Sequence, residues 1–163
     1  MILEVGCGSG GSYAFRPRST SWDTIYLDIE APRRGIENYV VADAHSLPFR
    51  GGSFTRIYAS HVIEHLEEPR RFLRECYRVL KLGGELHVYT PNFLSRNARS
   101  DPRHKHIYSI FSLARDVWRA GFRVGLPYVG IFANSIPRLA RYYLSLALYL
   151  FSDEIYVVGY KVL

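Results

Sequence analysis

The feature that most constrains this chain is a glycine turn set directly after a short apolar strand, Ile2-Leu3-Glu4-Val5-Gly6-Cys7-Gly8-Ser9-Gly10-Gly11. Glycines at this spacing permit backbone conformations closed to other residues and let a ligand approach the main chain closely. In open α/β sheets, ligands sit outside the carboxyl ends of strands, where such a turn falls. The turn can be read as Gly6-x-Gly8-x-Gly10 or as Gly6-x-Gly8-x-x-Gly11, and Asp28 ends the next predicted strand. An acid there can accept both hydroxyls of a ribose. The turn therefore predicts an adenosine-type ligand without separating a dinucleotide from a nucleoside.

Hydrophobic periodicity predicts further strands at Thr24–Asp28, Tyr39–Val41, Phe54–Ala59, Glu85–Thr90, Phe122–Val124 and Ile155–Val162. The clearest helix is Pro69–Leu80. Phe72, Leu73, Cys76, Val79 and Leu80 share one face, Pro69 suits the first turn, and Gly83-Gly84 is expected to stop it. Ser109–Ala120 reads as a second helix ending at Gly121, and 137–151 as a third. Strands alternating with helices or short connectors predict an α/β fold. It is a Rossmann-like, doubly wound, mostly parallel sheet, trimmed at the N-terminus, with the last strand antiparallel. No linker divides the chain, so residues 1–163 are expected to form a single domain, with 125–152 as an insert.

The chain carries 21 basic and 15 acidic side chains, a net charge of +6. Its densest basic group, Arg70, Arg71, Arg74 and Arg78, is interleaved with Glu67, Glu68 and Glu75, the pattern of a solvated helix face rather than a nucleic-acid surface. Cys7 and Cys76 stand apart from any metal-binding spacing and read as thiols in a reducing compartment. The first residues lack the basic and apolar regions of a signal peptide, and the apolar run 136–151 is interrupted by Pro137, Arg138 and Arg141. These features predict a cytoplasmic protein with no transmembrane segment. The insert, rich in Tyr and Leu, is expected to pack on the sheet or to form a homodimer face; the alternative is an apolar acceptor pocket.

Five further segments point the same way. Val41-Ala42-Asp43-Ala44-His45-Ser46-Leu47-Pro48-Phe49, Ser60-His61-Val62-Ile63-Glu64-His65-Leu66, Tyr77-Arg78-Val79-Leu80-Lys81-Leu82-Gly83-Gly84, Asp101-Pro102-Arg103-His104 and Ala120-Gly121-Phe122 follow the glycine turn in order. Together these resemble the class I S-adenosylmethionine-dependent methyltransferases, particularly the type 11 group, over residues 2 to about 124. Leu82 replaces that group's usual proline, and the helix that normally precedes its first strand has no counterpart here. The resemblance implies S-adenosyl-L-methionine as cofactor. Gly6, Cys7, Gly8 and Gly10 would form its turn, Asp28 would take the ribose, and Asp43 would accept from the adenine amine. Ile29 and Ala44 would cover the adenine, while Glu4 and a carbonyl near Ser60 would hold the ammonium.

Methyl transfer from an already activated sulfonium asks mainly for alignment. Where the acceptor is a hydroxyl, a histidine can serve as base. His104, on the expected acceptor side, and His61, at the cofactor-facing end of its strand, are the candidates. His61-Val62-Ile63-Glu64-His65 also fits the inverted zinc-protease pattern HxxEH. The stretch falls on the methyltransferase motif and presents no third ligand in sequence, so no metal is expected. The favoured function is methyl transfer to a small-molecule acceptor, with an apolar or lipid-linked one in view. The alternatives are an RNA or protein methyltransferase, or a non-catalytic cofactor-binding subunit that needs a partner. An NAD-linked oxidoreductase is disfavoured, because Tyr77 and Lys81 lie within the methyltransferase-like helix.

Overall fold

The computed structural model describes residues 1–8, 23–32, 35–125 and 152–163. The expected insert, its helix and the proposed homodimer face fall almost entirely outside the described residues, as do Gly10 and the segment after the glycine turn. Among the described residues, seven strands form one sheet: β1 (Ile2–Val5), β2 (Thr24–Asp28), β3 (Tyr39–Val41), β4 (Phe54–Ser60), β5 (Leu80–Pro91), β6 (Arg123–Gly125) and β7 (Glu154–Tyr160). Their order is β3-β2-β1-β4-β5-β7-β6. The first five are mutually parallel, and β7 runs antiparallel to both neighbours, as predicted. The order reverses at β1, so the ends of β1, β2 and β4 open on the crevice where such sheets bind ligands.

The pleat sorts the strand residues. Leu3, Val5, Leu27, Ile57, Ala59, Leu86, Val88 and Val157 are buried in one core with α1 (Pro69–Val79) and α3 (Ile110–Arg119), which the short α2 (Arg96–Ser100) precedes in sequence. Phe72, Leu73, Cys76 and Val79 supply the buried face of α1, as the periodicity predicts. Ser109 caps α3 through a reciprocal bond pair with Ser112. The other sheet face carries Glu4 in register between Tyr26 and Tyr58, then His87. Tyr58 stacks on His87 with ring centres 4.6 Å apart, and Tyr89 on Tyr156 at 4.2 Å. No helix among the described residues is long and apolar enough to cross a membrane.

Two expectations are corrected. Gly83-Gly84 does not end the helix: α1 stops at Val79, Leu80 is already extended, and β5 runs through the glycines to Pro91. Phe54 pairs with Leu80 but Arg56 with Glu85, so residues 81–84 form an irregularity within the strand. A side chain at Gly84 would press on backbone oxygens of Lys81 and Thr55 at 2.9 and 3.1 Å, so this close approach is what requires glycine. Arg78, expected on a solvated face, instead reaches the main chain of the β3–β4 connection. It donates to the carbonyls of Leu47 and Phe49 at 2.9 and 2.8 Å and pairs with Glu75 at 2.7 Å. Glu75 in turn accepts from the Leu47 amide at 2.9 Å. The helix thus clamps the loop that carries Asp43.

Candidate active site

A cavity of about 870 Å³ opens at the ends of β1, β2 and β4. Of the residues expected to bind cofactor, Gly6, Asp28, Ile29, Asp43 and Ala44 line it, and so does His61. Glu4, Cys7, Gly8, Ser60 and His104 are not among the residues that line it. The volume is in the range of ligand pockets that hold a small organic molecule.

Gly6 occupies the left-handed region at φ +73°, and a Cβ there would fall 2.0 Å from Cγ2 of Val62. Only glycine lets β1 turn this closely under the segment after β4. Gly8, also at positive φ, donates its amide to Oδ2 of Asp28 at 2.7 Å. The Glu30 amide donates to Oδ1 of the same carboxylate at 3.1 Å. Asp28 is therefore held by two backbone donors, and each oxygen keeps lone-pair capacity for a diol. Tyr39 closes the arrangement by donating to the Glu30 carbonyl at 2.6 Å. Cys7 is buried behind the turn, and burial pushes its thiol up to about 11, so it serves as a neutral packing group. Ile29 is 71% exposed at the rim, a large apolar side chain poised over the cavity rather than in the core.

Asp43 is oriented by His45, a residue that motif reading did not single out. The His45 amide and ring Nδ1 both meet Asp43 Oδ1, at 2.8 and 2.7 Å. Nε2 of the same ring accepts from the Glu68 amide at 3.2 Å. The bond from the His45 amide holds the Asp43 carboxyl below its usual value, with the ring contributing in the same direction. An ionised Asp43 with Oδ2 clear of this contact suits an amine donor. The Asx-turn spacing of Asp43 and His45 is the signal in sequence that could have identified the pair.

His61 sits at φ +54° immediately after β4, its amide bonded to the Tyr89 carbonyl at 3.0 Å. Its ring lies between two carboxylates, Glu64 at 3.3 Å and Glu154 at 3.1 Å. The Glu64 hydrogen bond, followed by the charges of both acids, raises its pKa. Ser60 presents a buried hydroxyl with no hydrogen-bond partner among the described residues, beside the turn that carries His61. His104 is nearly enclosed, with Nδ1 on the Ala98 carbonyl at 3.1 Å and its ring 4.8 Å from that of His65. The expected cluster of Arg side chains is largely neutralised: Arg70 pairs with Asp116 and Arg71 with Glu68.

These features fit S-adenosylmethionine. The cradle a side chain would fill, the doubly held acid for a ribose and the oriented acid beyond it stand in the expected order around one cavity.

Known proteins agree. A family model described as a methyltransferase domain matches residues 3–88. A probable S-adenosylmethionine-dependent methyltransferase of Mycolicibacterium smegmatis is 30% identical over 136 residues, covering 76% of this chain and 52% of that protein. The phthiotriol/phenolphthiotriol dimycocerosates methyltransferase 1 of Mycobacterium ulcerans is 36% identical over 103 residues, covering 55% and 36%. The chain thus spans about half or less of the length of these relatives. A SAM-dependent methyltransferase from Archaeoglobus fulgidus superposes with a TM-score of 0.65 at 21% identity, over 98% of this chain and 85% of that one, which bears on the fold. With its glycine cradle, its two oriented acids and this family match in register, the chain belongs to the S-adenosylmethionine-dependent methyltransferases of the methyltransferase-domain family.

Proposed function

We propose that this domain transfers the methyl group of S-adenosylmethionine to a small-molecule acceptor with an apolar body. The observation that carries the reading is the mixed lining of the cavity, where the carboxylates Asp28 and Asp43 stand together with the apolar Ile29, Val62 and Leu66, which suits a polar nucleoside and a less polar acceptor in one site. Bound there, the cofactor supplies an electrophilic methyl on a sulfonium. The chain's own work is to hold the acceptor heteroatom in line with it and to exclude competing water.

Asp28 and Asp43 fix the nucleoside through its ribose and adenine. His61, held through Nδ1 by Glu64, would hydrogen-bond the acceptor heteroatom through Nε2 in exchange for the exposed Glu154 carboxylate. Of the two histidines expected from sequence, its position in the wall supports His61 for this task. An acceptor with an apolar body is also in keeping with the Mycobacterium ulcerans relative, whose name refers to phthiotriol and phenolphthiotriol dimycocerosates.

The test is a labelled-methyl transfer screen across apolar phenols and alcohols, amines, bulk transfer RNA and protein. Label on an apolar small molecule, lost in Asp28→Ala and reduced in His61→Ala, supports the proposal. Label confined to RNA or protein overturns it.

A further inference from the structure

Glu64, His65 and His104 converge beside the cavity. One donor atom from each lies within 4.8 Å of the other two. The backbone enforces the meeting. The amides of Lys105 and His106 both donate to the Glu64 carbonyl, at 2.8 and 3.1 Å, which delivers His104 to the segment after β4. The His104 amide closes a turn on the Asp101 carbonyl at 3.1 Å.

The two rings share a tautomer. Nδ1 of His65 faces the Arg103 carbonyl at 3.2 Å, and Nδ1 of His104 faces the Ala98 carbonyl at 3.1 Å. Each Nδ1 therefore carries the proton, and each Nε2 carries a lone pair. This is the arrangement by which outer-shell carbonyls orient imidazoles as metal ligands. The third member, Glu64, is 1% exposed. Its Oε2 accepts from Thr90 at 3.1 Å and its Oε1 faces His61 at 3.3 Å, which leaves lone pairs on both oxygens. Asp101 Oδ2 stands 3.9 Å from His104 Nε2, beyond hydrogen-bond reach and outside the three-residue cluster.

We propose that Glu64, His65 and His104 form a site for one divalent transition metal of the zinc type. Two imidazoles and a carboxylate suit such an ion, whereas magnesium and calcium favour all-oxygen sets. Tetrahedral binding at about 2.0–2.1 Å would set the donors about 3.4 Å apart, so the side chains close by roughly 1 Å on binding. His65 also lines the cavity, so an open coordination position on that side would be reached from it. An acceptor oxygen taking that position would be polarised by the ion. That last role rests on the proposed acceptor chemistry; the binding site rests on the fold alone.

The test uses tag-free chain stripped with a chelator and titrated with Co²⁺ as a visible-absorbing probe, followed by Zn²⁺ displacement. S-adenosylhomocysteine titration runs in parallel on every sample. The expected result is one Co²⁺ per chain, displaced by Zn²⁺, with affinity at least 10-fold weaker in His65→Ala and in His104→Ala. His87→Ala, on the opposite sheet face, should bind as the parent does. Substoichiometric Co²⁺ in a chain that still binds S-adenosylhomocysteine overturns the site, as does equal Co²⁺ affinity in all three variants. Failure to bind S-adenosylhomocysteine in the parent would instead count against the methyltransferase reading.

Discussion

The Gly8 amide points at Oδ2 of Asp28 and lies 2.7 Å from it, so the glycine turn and the acid that ends β2 form one preassembled unit. The acid orders the turn before any ligand arrives, and the turn fixes the acid. Replacing Asp28 with Ala removes the ribose acceptor and leaves the amides of Gly8 and Glu30 without this partner. Losing one or two hydrogen bonds to a charged group, at about 1.5–3 kcal/mol each, corresponds to at least a 10- to 100-fold weaker affinity. Calorimetric titration with S-adenosylhomocysteine should show that loss in Asp28→Ala. A smaller loss is expected in Asp28→Asn, whose single carbonyl oxygen can still accept from Gly8.

Gly6 and Val62 are expected to be coupled. A methyl at Gly6 meets Val62 Cγ2 at 2.0 Å, and the backbone there has φ +73°. Gly6→Ala should therefore destabilise the chain by about 3 kcal/mol or more, combining overpacking with left-handed strain. Val62→Ala alone costs about 1–2 kcal/mol for a buried side chain. The double variant should be more stable than additivity predicts, because removing Cγ2 relieves the severe clash and leaves the strain and a tight contact with Cβ at 3.3 Å. Urea unfolding of the four proteins measures the coupling. Strict additivity would mean that the two residues do not share this contact.

The Asp43–His45 pair gives a pH prediction. The folded carboxyl of Asp43 lies below its unfolded value of about 3.9. Its contribution to stability is therefore complete above that unfolded value and disappears as pH falls through the lower folded one. In His45→Ala the amide bond can persist, but the ring bond at 2.7 Å is gone, so the folded midpoint should rise toward the ordinary carboxylate value. Carboxyl-carbon NMR titration of Asp43 reads this directly. The same variant should bind S-adenosylhomocysteine several-fold more weakly at neutral pH, since Asp43 is then ionised but no longer oriented.

These relationships differ in how visible they were beforehand. The strands and the mostly parallel sheet were legible from hydrophobic periodicity and the alternation of strands with helices or short connectors, and the presence of Asp28 and Asp43 at one cavity follows from an acid at a strand end and from the family resemblance. The path of β5 was not. Glycines after a helical run read as a stop, whereas the register shift between Phe54 and Arg56 turns them into an irregularity inside a strand. His104 was expected at the acceptor side because of its motif, yet the amides of Lys105 and His106 tie its loop to Glu64. That contact is long-range and has no periodicity to reveal it. The meeting of His104 with His65 likewise supplies in space the third ligand that the HxxEH stretch lacked in sequence.

Arg78 shows how a residue far from the cavity can set affinity within it. Its guanidinium holds the carbonyls of Leu47 and Phe49 while Glu75 holds the Leu47 amide, so one turn of α1 anchors the loop that begins at Asp43. Arg78→Met keeps much of the stem's packing but removes every one of those donors. Because the Arg78 side chain is 42% exposed, water takes over part of the bonding, and the stability loss should be about 1–2 kcal/mol rather than the sum of buried bonds. The loosened loop should also weaken S-adenosylhomocysteine binding. That loss should be smaller when His45→Ala is already present, since both changes release the same segment. Calorimetry on the double-variant cycle decides the matter. Independent, additive losses would place the effect of Arg78 on the fold in general rather than on Asp43.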